Sequence, residues 1–277
     1  MRSVRPADSK PPVVVVGVGD MLDALNAVDV AAMEAAYRDV PLVVVHAWPS
    51  GQGESARYRT PDSSQGRHLL GLAVCRAQAA APGLQVTTEW VNDSPTQALV
   101  QRSTSASLLV MGHHDTVGPH DGWGSTTARL AHCSSCPVLV YRGQASSQGP
   151  VVAAVHSDQT AVLARAYEIA ARGGRHLVVV QMDTETSTGA ALAGDRIGEV
   201  INAWRSTRAR VLVDRLLVSD VDIAHAMQRA SWRGRLLVAG IDHDSPLTRA
   251  VSGSAGVAQV SHQLCPVLLV PTNWHAA

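Results

Sequence analysis

Two stretches of this chain are written on one template. Leu108-Leu109-Val110-Met111-Gly112 leads to Gly124-Ser125 and then to Cys136-Pro137-Val138-Leu139-Val140. Leu236-Leu237-Val238-Ala239-Gly240 leads to Gly253-Ser254 and then to Cys265-Pro266-Val267-Leu268-Leu269-Val270. The strand-ending glycines stand 128 positions apart and the Cys-Pro pairs 129. Agreement in both order and period marks an internal duplication, which restricts the chain to an architecture that can be built twice. At 277 residues, each copy has the length of an ordinary domain with its own core.

Inside each copy, β-branched runs alternate with amphipathic stretches. The first copy opens on Val13-Val14-Val15-Val16-Gly17-Val18, which suits a strand buried on both faces. A helix with Leu22, Leu25 and Val28 on one face follows, then a strand over 42–46. Residues 49–66 read as a long loop. The next helix is expected to turn Leu69, Leu72, Ala73 and Ala80 inward, and residues 84–91 form a third strand. Ser94-Pro95-Thr96-Gln97 opens the third helix, with serine as cap, proline at the first helical position and glutamine closing the box. Strands over 108–112 and 138–141 complete the copy, and residues 143–150 are a linker by composition. The second copy repeats the order, with strands over 151–155, 177–181, 211–218, 236–240 and 267–270. Its first helix is stopped by Gly173-Gly174, and its second carries Ile197, Ile201 and Trp204 on one stripe.

The class is therefore α/β. The pattern predicts two tandem Rossmann-like domains in flavodoxin-like order, 1–146 and 147–277, each a five-stranded parallel sheet with helices on both faces. Ligands in such folds sit beyond the carboxyl ends of the strands. That directs attention to the loops after Val18, His46 and Gly112, and after Val155, Gln181 and Gly240.

Formal net charge is zero and no basic run is present, so neither nucleic acid nor an anionic membrane is an expected partner. Apolar runs are strand-sized, and Met1 to Lys10 lacks the core of a signal peptide, which points to the cytoplasm. There the four cysteines would be free thiols. Cys133-Ser134-Ser135-Cys136 has redox spacing, but it falls at a helix end, where the helix dipole disfavours a thiolate. Gly17-Val18-Gly19 starts a dinucleotide fingerprint that fails at Leu22. His113, His114, Asp115, His120 and Asp121 crowd one loop, and Asp242-His243-Asp244 its counterpart; the plainer reading is a solvated polar loop, so no metal is expected. No G-x-S-x-G elbow or other nucleophile-base arrangement stands out, and the chain does not read as an enzyme.

A strand ending in glycine, a loop, Gly-Ser at a helix start, then Cys-Pro-Val-Leu-Leu-Val, together with the Asn92-Asp93-Ser94-Pro95 turn, resembles the universal stress protein family over both halves. The resemblance implies ATP as the candidate ligand, held by Gly-x-x-Gly, nine residues, and Gly-Ser or Gly-Thr, with an aspartate at the end of strand one. Glycines let backbone amides reach phosphate, and a helix N-terminus adds further donors. Carried onto this chain, Gly240, Gly253 and Ser254 would hold phosphates and Val155 and Val180 would contact the base, with Gly112, Gly124, Ser125 and Thr126 as weaker equivalents.

Both copies depart from the pattern. Asp115 and His243 stand where the second glycine belongs, Gly124 arrives one residue early, and Gly19 and His156 replace the aspartate. A carboxylate beside a triphosphate repels it by on the order of 1 kcal/mol per close contact. The second half keeps the family's spacing to its Gly-Ser pair and is favoured for that reason. The resemblance thus implies a stress-response protein with degenerate ATP-binding loops, weak or no adenine nucleotide binding and no conventional turnover. The alternative is a protein-interaction scaffold, an internal pseudo-dimer whose last strands meet antiparallel, with a homodimer beyond it.

Overall fold

The computed structural model of the chain describes residues 12–19, 24–48, 63–112, 125–143, 146, 148–156, 159–182, 195–207, 210–219, 222–241 and 265–271. The elements in chain order are β1 (Val13–Gly17), α1 (Ala24–Arg38), β2 (Leu42–Ala47), α2 (Ser63–Ala80), β3 (Val86–Val91), α3 (Pro95–Ser103), β4 (Ala106–Gly112), α4 (Ser125–Cys133) and β5 (Val138–Tyr141). They continue with β6 (Val151–Val155), α5 (Thr160–Gly173), β7 (Leu177–Met182), α6 (Arg196–Thr207), β8 (Val213–Val218), α7 (Ile223–Arg233), β9 (Leu236–Ile241) and β10 (Val267–Pro271). The α/β class follows as expected, with parallel strands and covering helices in each half.

The chain divides into two compact units. One ends at Gly112 and takes in Ser134–Cys136; the other comprises the rest, so α4 and β5 count with the second unit although the repeat assigns them to the first copy. The first unit carries the order β3-β2-β1-β4, all parallel, with Val14 opposite both Leu42 and Leu108. The second carries β5-β10-β9-β6-β7-β8, parallel except for β5, which meets β10 antiparallel with Leu139 opposite Leu268.

The strand order corrects one expectation. From β6 the chain steps outward to β7 and β8, then returns past β6 to β9 and β10. This is the Rossmann 3-2-1-4-5 succession, not the flavodoxin-like one, and β3-β2-β1-β4 follows the same rule. The physical reason is that α5 packs on α6, and α1 on α2, so the first two crossovers run in the same direction. The topological switch therefore falls between β1 and β4 in one half, and between β6 and β9 in the other.

Valine runs supply the central strands: Val14, Val15 and Val16 are buried, as is the whole of β6. Small residues let the helices approach closely. On α1 the inward stripe is Leu25, Val28, Ala31, Ala32 and Ala35; on α5 it is Val162, Leu163, Ala166, Tyr167 and Ala170. Ile197 and Ile201 of α6 are buried, and Trp204 lies tilted on Tyr167 with ring centroids 4.3 Å apart.

On α2 the buried face differs from the expectation. Gly66, Leu70, Ala73 and Ala77 point in, while Leu72 is exposed. Adjacent leucines at 69 and 70 fit either stripe. The glycine and alanines decide it, because they admit the close contact.

Termini follow local chemistry. The Ser94 side chain accepts from the Gln97 amide at 3.2 Å and donates to Gln97 Oε1 at 2.9 Å, while Asp93 Oδ1 takes up the Ser94 amide at 2.6 Å. Gly174 ends α5 at φ 59°, a left-handed conformation that glycine adopts without penalty.

Candidate functional site

In the first unit the mouth is built by extending β1 one residue. The Val18 amide donates to Val45 O at 2.9 Å, and Val18 O accepts from His46 Nδ1 at 2.9 Å. Since a carbonyl can only accept, Nδ1 carries the proton. His46 is buried at the end of β2. Its ring stands edge-on to Trp90 at 5.1 Å between centroids and tilted to Trp48 at 6.5 Å. Trp90 is seated over Gly66, where an added Cβ would overlap its six-membered ring. Gly17 faces Leu99 of α3, whose nearest carbon would lie 2.9 Å from a Cβ at that position. Among the described residues nothing lies within 4 Å of the same construction on Gly19. Gly112 closes β4.

In the second unit Val155 ends β6, Val180 lies on β7, and Gly240 lies on β9 opposite Val270. Ala154 pairs with both Val180 and Ala239, so these three residues converge on the carboxyl ends of neighbouring strands. Val155 and Val180 are buried. Ser125 opens α4 and Thr126 follows it, in the second unit, whereas Gly112 is in the first. Gly124, Gly253 and Ser254 lie outside the described residues, as do the His113–Asp121 and Asp242–Asp244 loops. Among the described residues no three His, Cys, Asp or Glu side chains are grouped to hold a metal ion, and no helix is long and apolar enough to cross a membrane.

Three features of these mouths are not apparent from motif reading. The first is the His46, Trp48 and Trp90 cluster. Its only sequence signal is that all three residues fall at or just past strand ends. The second is Gln159, which precedes α5. It is buried, its Oε1 accepts from the His156 amide at 3.2 Å, and its carboxamide atoms lie 2.7–2.8 Å from where a Cβ on Gly240 would stand. The third is a polar chain from β7 to α6. Buried Gln181 accepts from Arg215 Nε at 2.9 Å, and Arg215 grips Asp195 bidentately at 2.5 and 2.7 Å. Asp195 in turn accepts from the Gly198 amide at 3.0 Å, capping α6. The Arg215 guanidinium, assisted by that cap, holds the Asp195 carboxyl below its ordinary range.

The cysteines are free thiols. Cys133, at the end of α4, is exposed, while Cys136 is buried and its thiol is pushed up to about 11 by burial, against a lowering contact from Ser134. Burial likewise raises Cys265. A thiol held protonated in this way is a poor nucleophile.

Comparison with known proteins matches residues 12–142 to the universal stress protein family. Universal stress protein Rv3134c of Mycobacterium tuberculosis is 30% identical over 250 residues, covering 86% of this chain and 90% of that protein. A universal stress protein of Mycolicibacterium smegmatis is 26% identical over 289 residues, covering 93% of this chain and 96% of its own. Among solved structures, a universal stress protein from Archaeoglobus fulgidus superimposes with a TM-score of 0.69 at 13% identity, over 94% of this chain and 96% of that one.

Proposed function

The chain belongs to the universal stress protein family, and from that premise we propose that it is a stress-response protein that binds an adenine nucleotide weakly and turns nothing over. One observation carries the reading. In each half a glycine lies at the carboxyl end of the strand beside the topological switch, Gly112 on β4, where a backbone can come close to an anion, and its counterpart Gly240 on β9. Weakness follows from Asp115 and His243, which stand where further glycines would be needed. The family pattern makes ATP the candidate ligand, with Ser125 and Thr126 at the head of α4, Gly124 before them, and Gly253 and Ser254 in the second half as the other phosphate contacts. Val155 and Val180 are the proposed wall for a base in that half once the Gln159 side chain is displaced.

A thermal-shift titration with ATP and Mg²⁺ tests this. A ligand that binds only the native chain stabilises it by about 1.4 kcal/mol at ten times its dissociation constant. A rise of a few degrees, without phosphate release, is expected. A flat melting point to millimolar ATP refutes the reading.

A second reading is favoured by the antiparallel ladder between β5 and β10. The last strands of the two copies pair, which covers edges that would otherwise be open to other chains. On this reading the duplication makes an internal pseudo-dimer that presents surfaces to protein partners, in the cytoplasm, without nucleic acid or membrane, with a homodimer as the next level of assembly. Flat thermal melts together with a specific protein partner would select it.

A further inference from the structure

We propose that Gln159 is a built-in stopper of the second mouth, confining nucleotide to the first half; this inference rests on the nucleotide reading above. The switch point of the second unit lies between β6 and β9, where ligands of such sheets bind. Gln159 stands just past β6, one residue before α5 begins at Thr160. It occupies the helix-cap position without capping, since its side chain bonds no amide of the first turn. The side chain folds back instead. Oε1 takes the His156 amide at 3.2 Å, and Cδ, Nε2 and Oε1 come within 2.7–2.8 Å of the place a Cβ on Gly240 would occupy.

The room that glycine leaves at the end of β9 is therefore filled by the carboxamide of Gln159, a residue only 8% exposed. Gly240 serves to seat Gln159, and an anion approaching that backbone must first expel a buried polar group from a made hydrogen bond. The first half differs. Gly19 occupies the position matching His156 and Leu22 the position matching Gln159, so the first copy has no carboxamide to offer its strand-end glycine. The stopper reverses the preference that the Gly253-Ser254 spacing creates, because the strand-end glycine of that half is already covered.

Calorimetric titration of the full chain with ATP and Mg²⁺ tests this through stoichiometry. Wild type is expected to bind one nucleotide per chain, and Gln159→Ala two. Gln159→Ser also removes the stopper while supplying a preferred helix cap, so it guards against a folding defect in the alanine variant and is expected to bind two as well. Two sites in wild type, or an unchanged count in both variants, overturns the stopper. Wild type that binds nothing refutes the nucleotide reading separately. In that case one site gained in the variants still supports the stopper, and none gained overturns it.

Discussion

Two glycines of one helix should respond in opposite directions to the same substitution. Gly66 and Gly71 both belong to α2. At Gly71 a Cβ meets nothing within 4 Å among the described residues, so Gly71→Ala collects only the propensity gain of removing a helical glycine, about 0.5–1 kcal/mol. At Gly66 the Cβ lands on the six-membered ring of Trp90, and the indole has to leave. Trp90 is 38% exposed, so it has an outward path, but the movement uncovers roughly 80 Å² of apolar surface, worth about 2 kcal/mol. The edge-on contact with His46, at 5.1 Å, is lost as well, at about 0.5–1.5 kcal/mol. Set against the propensity gain, Gly66→Ala should lose about 2 kcal/mol, leaving the two variants about 2.5–3 kcal/mol apart. Urea unfolding followed by far-ultraviolet circular dichroism measures both, with an unchanged slope as the sign that only the native state is affected. Variants within about 0.5 kcal/mol of each other would show that Trp90 is not held over Gly66 and that the aromatic cluster at the first mouth is misassigned.

Other consequences are simpler to read. Because the Asp195 carboxyl is held below its ordinary range, its ion pair with Arg215 stabilises above the unfolded carboxyl value and is lost as pH falls through the folded one. Asp195→Asn, which still caps α6, should cost about 0.5–1 kcal/mol at neutral pH for this half-exposed pair, and that deficit should begin to shrink below about pH 4 and vanish only once pH has fallen through the lower folded value; a deficit independent of pH would reject the ion pair. Thiol titration of the native chain should label Cys75 and Cys133 quickly, with Cys136 and Cys265 reacting only on unfolding; rapid labelling of all four would contradict the burial of the last two. Leu163→Ala on α5, fully buried, should destabilise by about 2–5 kcal/mol in the same urea assay, and a loss under about 1 kcal/mol would mean that α5 is loosely packed.

The residues that announced the fold are those whose preferences are local. Val14 to Val16 form a buried strand, Ser94-Pro95 favours a helix start, and Gly174 ends a helix because glycine adopts φ 59° without penalty. What sequence did not reveal is decided by contacts between distant segments. The stripe of α2 could follow Leu69 or Leu70 until the sheet beneath it chose the small residues. The strand order depends on which way each crossover runs, and hydrophobic period does not contain that. Of the candidate site, Gly112, Val155, Val180 and Gly240 could be located at strand ends from pattern alone. Gln159 could not, because its side chain folds back only in the presence of a glycine far along the chain at 240.

In the proposed arrangement nucleotide is held in the first half, while Gln159 fills the second mouth. Hydrogen–deuterium exchange of the whole chain, with and without saturating ATP, measures it at the level of peptides. The account predicts slowed exchange in segments covering Val18–Gly19, His46–Trp48 and Met111–Gly112, with the segment around Gln159 unchanged. Protection at Gln159 and Gly240 with none at the first mouth, or no protection anywhere, would contradict it.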